Sequence, residues 1–182
     1  MKTTFVSLWA ITSTFGCLIA TLLVSGCATS GGKPTYSKAL TFDARVISGD
    51  KVSAEVAAAG PKVVLTTADK ERFSQKIEVA IRTRAPQGAR SARNYRVVVA
   101  LQRYERGSQF ARMMLAGLGQ MHIDATITLY SMPAKTAAGS FKIDKTFSWG
   151  GAVGGMATIE NVEDDFAKAV AEAVCAPKPK QH

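Results

Sequence analysis

The chain has 182 residues, of which 23 are Lys or Arg and 14 are Asp or Glu, so its formal net charge is +9 at pH 7. This length fits one ordinary domain and excludes an array of several domains. A net positive charge of this size favours contact with acidic partners.

The amino terminus has the composition of a secretory signal. Lys2 supplies the positive start, an apolar stretch covers 5–24, and the small residues Ser25 and Gly26 precede Cys27. A transmembrane helix is the alternative, since about 20 apolar residues span a bilayer. Six Ser, Thr or Gly residues dilute the stretch, however, and no basic cluster follows to stop transfer.

The sequence Leu-Val-Ser-Gly-Cys over 23–27 resembles the bacterial lipoprotein processing box. The resemblance implies that residues 1–26 are a signal peptide and that Cys27 becomes the first residue, acylated on its thiol and its amine, palmitate being one such acyl group. Two or three acyl chains anchor a protein stably. Ala28 in place of Asp implies the outer membrane, facing the periplasm, rather than the inner membrane.

An envelope location limits which partners the protein can meet and which disulfides its cysteines can form. A periplasmic protein does not meet nucleic acid, so the expected partners are the membrane through the lipid anchor, an envelope protein, or anionic envelope molecules. Cys17 leaves with the signal and Cys27 is acylated, which leaves Cys175 without an internal disulfide partner. A small buried thiol is the expected state of Cys175, and an intermolecular disulfide is the alternative.

The two ends of the mature chain have the composition of connecting segments. Residues 27–38, beginning with the acylated cysteine, are rich in Gly, Ser, Thr and Pro, which predicts a flexible tether. Residues 176–182 contain two prolines and are predicted to be a disordered tail. A single α/β domain is expected over 39–175.

The first half of this domain shows two strand patterns and one helix pattern. Apolar residues alternate with polar ones over 40–46, which predicts a half-buried strand, and 62–66 is a short apolar strand candidate. Apolar residues at helical spacing then predict a helix over 69–84, with Asp69 as its N-cap.

The second half is dominated by strands. Residues 96–104 are apolar on both faces, which favours a central position in the sheet. An apolar loop or short helix is expected over 107–119. Clean alternation over 123–129 and 141–147, with a turn between them, predicts an antiparallel pair.

A last amphipathic helix, capped by Asn161, is predicted over 161–175. The order of elements predicts an α+β fold, a two-layer sandwich of a mostly antiparallel sheet with two amphipathic helices on one face. The inward positions of these elements form the predicted core: Phe73, Ile77, Val97, Val99, Leu101, Ile123, Ile127, Leu129, Phe166 and Val170.

The second half also resembles the bacterial lipoproteins of the domain of unknown function 4410 family. The matching features are the segment from Arg103 to Gly107, the Gly117-Leu118-Gly119 stretch, the strand pair, the glycine pairs at 150–151 and 154–155, and the closing helix. The resemblance implies a periplasmic α/β domain similar to accessory lipoproteins of envelope transport systems. It brings no catalytic residues with it.

Motifs for catalysis and for metals are weak in this sequence. His122 and Asp124 share one strand face, but a metal site needs three or four ligands and no third one stands out. No Gly-x-Ser-x-Gly elbow is present, and the glycine-rich segment 150–155 lacks the Lys-Ser/Thr of a P-loop. We therefore expect no enzyme activity, no metal and no cofactor.

Arginines are concentrated in the middle of the chain. Eight of them fall between 82 and 112 with one acid, Glu105, and guanidinium groups bind phosphate or carboxylate in bidentate fashion. Solvated surface charge is the alternative interpretation. The residues predicted to form one anion-binding surface are Arg82, Arg84, Arg90, Arg93, Arg96 and Arg106.

Two functions are compatible with these features. The first is a non-enzymatic accessory or interaction module of an envelope assembly or transport system, which would dock through the apolar surface around 110–118. The second is a binder of anionic envelope molecules, lipopolysaccharide or phospholipid, which would use the arginines.

Overall fold

A computed structural model describes residues 29–31, 33–114, 118–148 and 156–175, and the side chains from residue 33 onward. The predicted signal peptide, Cys27 and the carboxyl-terminal tail lie outside these residues. Among the helices in the described part of the chain, none is both long and apolar enough to cross a membrane.

The described strands form one six-stranded sheet. They are β1 (Thr29–Gly31), β2 (Thr35–Lys38), β3 (Lys51–Ala58), β4 (Asn94–Glu105), β5 (Met121–Met132) and β6 (Thr136–Phe147). The order across the sheet is β1-β6-β5-β4-β3, and β2 also pairs with β6. Every pairing is antiparallel except that of β3 with β4, which is parallel because α1 forms the crossover between them.

Three α-helices accompany the sheet: α1 (Thr67–Arg84), α2 (Gln109–Met114) and α3 (Ile159–Val174). α1 and α3 pack side by side on one face, where the rings of Phe73 and Phe166 meet at 5.4 Å in an edge-to-face arrangement. This confirms the predicted α+β fold with two helices covering one face of a mostly antiparallel sheet.

The predicted core is confirmed in full. All ten residues are buried with no measurable exposure, because alternate positions of β4 and β5 point at the helices and one stripe of each helix points back. β5 shows the pattern most clearly, because every second residue from Met121 to Leu129 is buried and the residues between them are half-buried.

Both long helices begin earlier than the sequence predicts. α1 is capped by Thr66, whose hydroxyl accepts from the Asp69 backbone N–H, while the Asp69 carboxylate accepts from the Thr66 N–H. At α3 the Asn161 side chain accepts from the Thr158 backbone N–H. Asp69 and Asn161 thus act from the third helical position of capping boxes and not from the N-cap.

Two predicted strands are wrong and one strand was missed. Residues 42–44 form a 3-10 turn with Phe42 75% exposed, although Leu40 and Val46 on either side are buried. Residues 62–66 are loop. The strand in this region is β3, an edge strand of small and charged residues that buries only one side, so its apolar signal is weak.

Part of the segment predicted to be a flexible tether is paired with the sheet. β1 aligns Thr29 with Phe147, and β2 aligns Thr35 with Lys142, both on the outer edge of β6. The chain therefore runs down this edge before it reaches the 3-10 turn.

The long elements run up and down one axis, so the molecule has two ends. The amino-terminal end consists of the start of β1, loop 59–66, residues 106–114 and 118–120, and residues 156–158. The hairpin end consists of residues 41–50, loop 85–93, the β5–β6 turn at 133–135, and Cys175. The Cys175 thiol is buried as expected, and this burial raises its pKa to about 11.

Candidate interaction surfaces

Five large apolar side chains project from the amino-terminal end and are called the apolar cluster here. They are between 50% and 81% exposed. Phe110, Met113 and Met114 belong to α2, Leu118 precedes β5, and Met156 precedes α3. Exposed apolar groups gathered in one place mark interaction sites on soluble proteins.

A buried arginine fixes the position of the apolar cluster. Arg112 is 3% exposed and donates to the carbonyl oxygens of Gly119 at 2.8 Å, Ala157 at 3.1 Å and Arg106 at 3.2 Å. Burial lowers the pKa of Arg112 from its ordinary value. Because these carbonyls belong to separate segments, Arg112 joins the α2 loop to the residues that lead into α3.

A glycine makes this close packing possible. Gly107 has a φ of 62°, and a Cβ at that position would lie 2.2 Å from the Gly119 carbonyl oxygen. Only glycine fits both the left-handed backbone and the contact. The α2 loop is thus held by its own backbone as well as by Arg112.

A charged network lies behind the apolar cluster, between the two long helices and β4. Glu163 is fully buried and accepts hydrogen bonds from Arg72 at 2.8 and 3.1 Å and from the Tyr104 hydroxyl at 2.8 Å. The bonds to Glu163 raise the pKa of Arg72. Burial, followed by the bond to Glu163, raises the pKa of Tyr104.

Asp69 extends the same network to the α2 loop. Arg72 and Arg106 each place a guanidinium nitrogen 2.9 Å from its carboxylate. Burial alone would raise the pKa of Asp69, but the hydrogen bonds from Thr66 and Arg72 and the charge of Arg106 lower it. The buried charges are thus paired with one another, and the network joins α1, α3, β4 and the α2 loop.

The six arginines of the predicted anion-binding surface do not form one surface. Arg82, Arg84, Arg90, Arg93 and Arg96 lie at the hairpin end or at the adjoining start of β4. Arg106 lies at the amino-terminal end, bonded to Asp69 in the first turn of α1, whereas Arg84 is the last residue of that helix. Asp69 and Arg84 are 15 positions apart in the sequence, which corresponds to about 22 Å along the helix.

Most of these arginines also have a carboxylate partner. Arg90 binds both oxygens of Asp50, whose side chain is fully buried, at 2.6 and 2.8 Å. Burial alone would raise the pKa of Asp50, but the hydrogen bonds from Arg90, Ile47 and Arg93 lower it. Weaker pairs join Arg84 to Glu172 at 3.5 Å and Arg96 to Glu55 at 3.8 Å.

Arg82 and Arg93 form no ion pair with the residues that the structure describes. Arg93 donates to the backbone carbonyl of Asp43 at 2.8 Å, and its side chain is exposed. An anion-binding surface at the hairpin end would therefore depend on these two arginines.

The sheet face opposite the helices is polar. His122 Nδ1 lies 2.9 Å from Thr146 Oγ1, and Asp124 faces Asp144 across the β5–β6 pair. Burial and the charge of Asp144 raise the pKa of Asp124. Within the described ranges no group of three or more His, Cys, Asp or Glu side chains is arranged to hold a metal ion.

A groove of about 760 Å³ runs along the outside of α1 and α3. Its floor is made of small side chains, including Ala80, Ala167 and Ala171, and its rim carries the Lys76–Asp164 and Arg84–Glu172 pairs. The rim thus carries basic and acidic side chains that are paired with one another.

No protein-family model matches the chain, and no curated protein matches it. Solved structures do match. A variant of PelC from Paraburkholderia phytofirmans, crystallised as a dodecamer, is 15% identical with a TM-score of 0.50 over 81% of this chain and 99% of that one. At this identity the likeness shows a shared fold.

Two further structures match this chain with lower TM-scores. A Xanthomonas campestris protein of the domain of unknown function 330 family is 11% identical, with a TM-score of 0.45 over 78% of this chain and 93% of that one. A candidate lipoprotein from Caulobacter crescentus is 15% identical, with a TM-score of 0.35 over 65% and 82%. The resemblance to the domain of unknown function 4410 family is not confirmed by these matches.

Proposed function

We propose that the protein is a lipid-anchored, periplasm-facing envelope protein that acts without catalysis, as an interaction module of an envelope assembly or transport system. The observation that carries the proposal is the start of β1. Thr29 is two residues after Cys27 and is paired with Phe147 at the end of β6. Cleavage before Cys27 would leave an acylated residue attached almost directly to the folded sheet.

The geometry of the described residues supports a role in binding rather than in catalysis. The carboxylates of Glu163, Asp69 and Asp50 are each paired with an arginine. The exposed feature with the clearest chemistry is the apolar cluster, which suits contact with a partner or a lipid surface.

Oligomerisation is part of the proposal. PelC, which has the same fold, was crystallised as a dodecamer. We infer that self-association is also the working form of this protein. Native mass spectrometry of the detergent-solubilised acylated chain tests it, and a strictly monomeric spectrum across the micromolar range would remove this part of the proposal.

Binding of anionic envelope molecules is the second candidate, favoured by the exposed Arg93 and by Arg82 at the same end. Such binding would weaken steeply with salt, because exposed charges are screened. Localisation to the outer membrane depends on Ala28 and is proposed on that basis.

Processing at Cys27 is the direct test. The full chain is produced in a Gram-negative host, and the membrane fraction is analysed by mass spectrometry. We expect a mature protein that begins at a diacylated or triacylated Cys27, and we expect Cys27→Ser to abolish that mass. Cys175→Ser is the matched control, because that thiol is buried at the hairpin end and should leave processing intact. A Cys27→Ser protein that still matures and stays membrane-bound would refute the proposal.

A further inference from the structure

We propose that the apolar cluster is a membrane-contacting surface, which inserts into the headgroup region of the bilayer that holds the acyl chains of Cys27. This inference rests on the proposed acylation and adds the orientation of the folded domain. The partner that we propose for the apolar cluster is phospholipid.

The first argument is the distribution of exposed apolar side chains. Nine large apolar residues are exposed among those whose side chains are described. Six of them lie at the amino-terminal end, namely the apolar cluster and Val64 in the loop before α1. The hairpin end has Phe42 alone, and Tyr36 and Val79 lie along the sides. The surface is therefore polarised along the long axis.

The second argument is the place where the chain leaves the structure. Thr29 pairs with Phe147, and Phe147 pairs with Met121, which is three residues after Leu118. Neighbouring strands are about 4.8 Å apart, so the start of β1 lies about 10 Å from the start of β5. Two further residues reach at most about 7 Å. An acyl group on Cys27 therefore enters the bilayer beside the apolar cluster.

The third argument is rigidity. Arg112 fastens the α2 loop to the residues before α3, and Asp69 fastens Arg106 of that loop to α1. The apolar side chains are thus presented on a fixed support and are not needed to fill the core. Apolar and aromatic side chains at such a support can lie at the acyl–headgroup boundary and strengthen a lipid anchor.

The test places a fluorophore at matched positions of the full acylated chain. Cys175 is buried and Cys27 is consumed by acylation, so an introduced cysteine is labelled selectively. Phe110→Cys reports the apolar cluster and Phe42→Cys the hairpin end; the two phenylalanines are 65% and 75% exposed. Each protein is reconstituted into vesicles of phosphatidylethanolamine and phosphatidylglycerol, with or without lipids that carry a nitroxide near the headgroup.

We expect the label at position 110 to shift its emission to the blue and to lose most of its intensity with the nitroxide lipids, while the label at 42 keeps its aqueous emission. Equal responses at the two positions would overturn the proposal. So would a blue shift at 110 without quenching by nitroxide, which would mean that protein covers the cluster.

Failure of anchoring is recognised separately. Mass spectrometry and flotation of the same samples report whether Cys27 is acylated and whether the protein is on the vesicles. Acylated, floating protein with an aqueous label at 110 would refute the membrane-contacting surface and leave the anchor in place. Protein that lacks acyl chains would refute the anchor itself.

Discussion

The two ends of this molecule use exposed side chains in opposite ways. At the amino-terminal end, apolar side chains are exposed while the charges behind them are buried and paired, as in the bonds of Arg72 to Glu163. At the hairpin end the exposed side chains are mostly small or polar and include Arg93, and the buried carboxylate of Asp50 is held by Arg90. The comparison shows that an abundance of one residue type in the sequence does not locate a functional surface. Side chains are available for binding only where they are exposed and are not already used in contacts within the fold.

The largest expected effect separates the core from the apolar cluster. Phe166→Ala removes a fully buried ring and should lower the free energy of unfolding by about 3–5 kcal/mol. Phe110→Ala removes an exposed ring and should change it by no more than about 0.5 kcal/mol. Urea denaturation of both variants measures the difference. A large loss in Phe110→Ala would show that this ring packs in the fold and is not reserved for a partner.

A smaller effect is expected at the support of the apolar cluster. Arg112→Met keeps most of the side-chain volume but leaves buried carbonyls without a donor, which should cost about 1–3 kcal/mol. Hydrogen exchange should increase around Gly119 and Ala157, whose carbonyls Arg112 binds. Arg103→Met is the control, since that exposed pair with Glu105 contributes little. Unchanged exchange in Arg112→Met would mean that the support does not depend on this residue.

At the hairpin end a stability loss of similar size is expected for Arg90 but not for Arg93, although both lie in the same arginine-rich segment of the sequence. Arg90→Gln leaves the buried Asp50 without its bidentate partner and should cost about 1–3 kcal/mol. Arg93→Gln should cost no more than about 0.5 kcal/mol, because its side chain is exposed. Thermal unfolding of the pair measures this, and equal melting temperatures would contradict the structural role given to Arg90.

The pH dependence of stability should follow the paired acids. The pKa values of Asp50 and Asp69 are lowered in the folded state from an ordinary value of 3.8. Their stabilisation is therefore complete above that value and is lost as the pH falls below it through the folded-state pKa. We expect the free energy of unfolding to fall as the pH is lowered below about 4, and to fall less steeply in Asp50→Asn. A slope unchanged in Asp50→Asn would contradict the pairing.

The smallest change in stability is expected for the variant that tests anion binding. Reversing Arg82 and Arg93 to Glu should leave stability unchanged, since exposed charges contribute little to folding. Co-sedimentation with lipopolysaccharide or phosphatidylglycerol vesicles at low and high salt shows whether these arginines bind. Binding that is strong at low salt and lost in the double variant would move the functional surface to the hairpin end.

The predictable parts of the fold are those where burial follows a clear period. β4, β5, β6 and the two long helices were predicted because their apolar positions recur at a spacing of two or at helical spacing. β3 was missed because an edge strand such as Lys51–Ala58 buries one side with small residues. The false strand at 40–46 arose because Leu40 and Val46 are buried separately, on either side of a 3-10 turn.

The candidate surfaces were predictable only where their residues are neighbours in sequence. The apolar residues between 110 and 118 stood out in the sequence. Met156 is brought to them by the bond of Arg112 to the neighbouring residue Ala157, and the start of β1 is brought to the same end by its pairing with β6. Both contacts join residues that are far apart in the sequence. The distribution of the arginines over both ends could not be predicted for the same reason. Asp50, which neutralises Arg90, lies 40 positions away in the chain.

The most direct test of the central claim, that the amino-terminal end faces the membrane, is energy transfer from a donor dye on the acylated protein to acceptor lipids at the vesicle surface. The 12 residues of β4 span about 36 Å, so the two ends should differ clearly in their distance from the bilayer. We predict efficient transfer from a donor at position 110 and weak transfer from one at position 42. Equal transfer from both positions, or stronger transfer from position 42, would contradict the account.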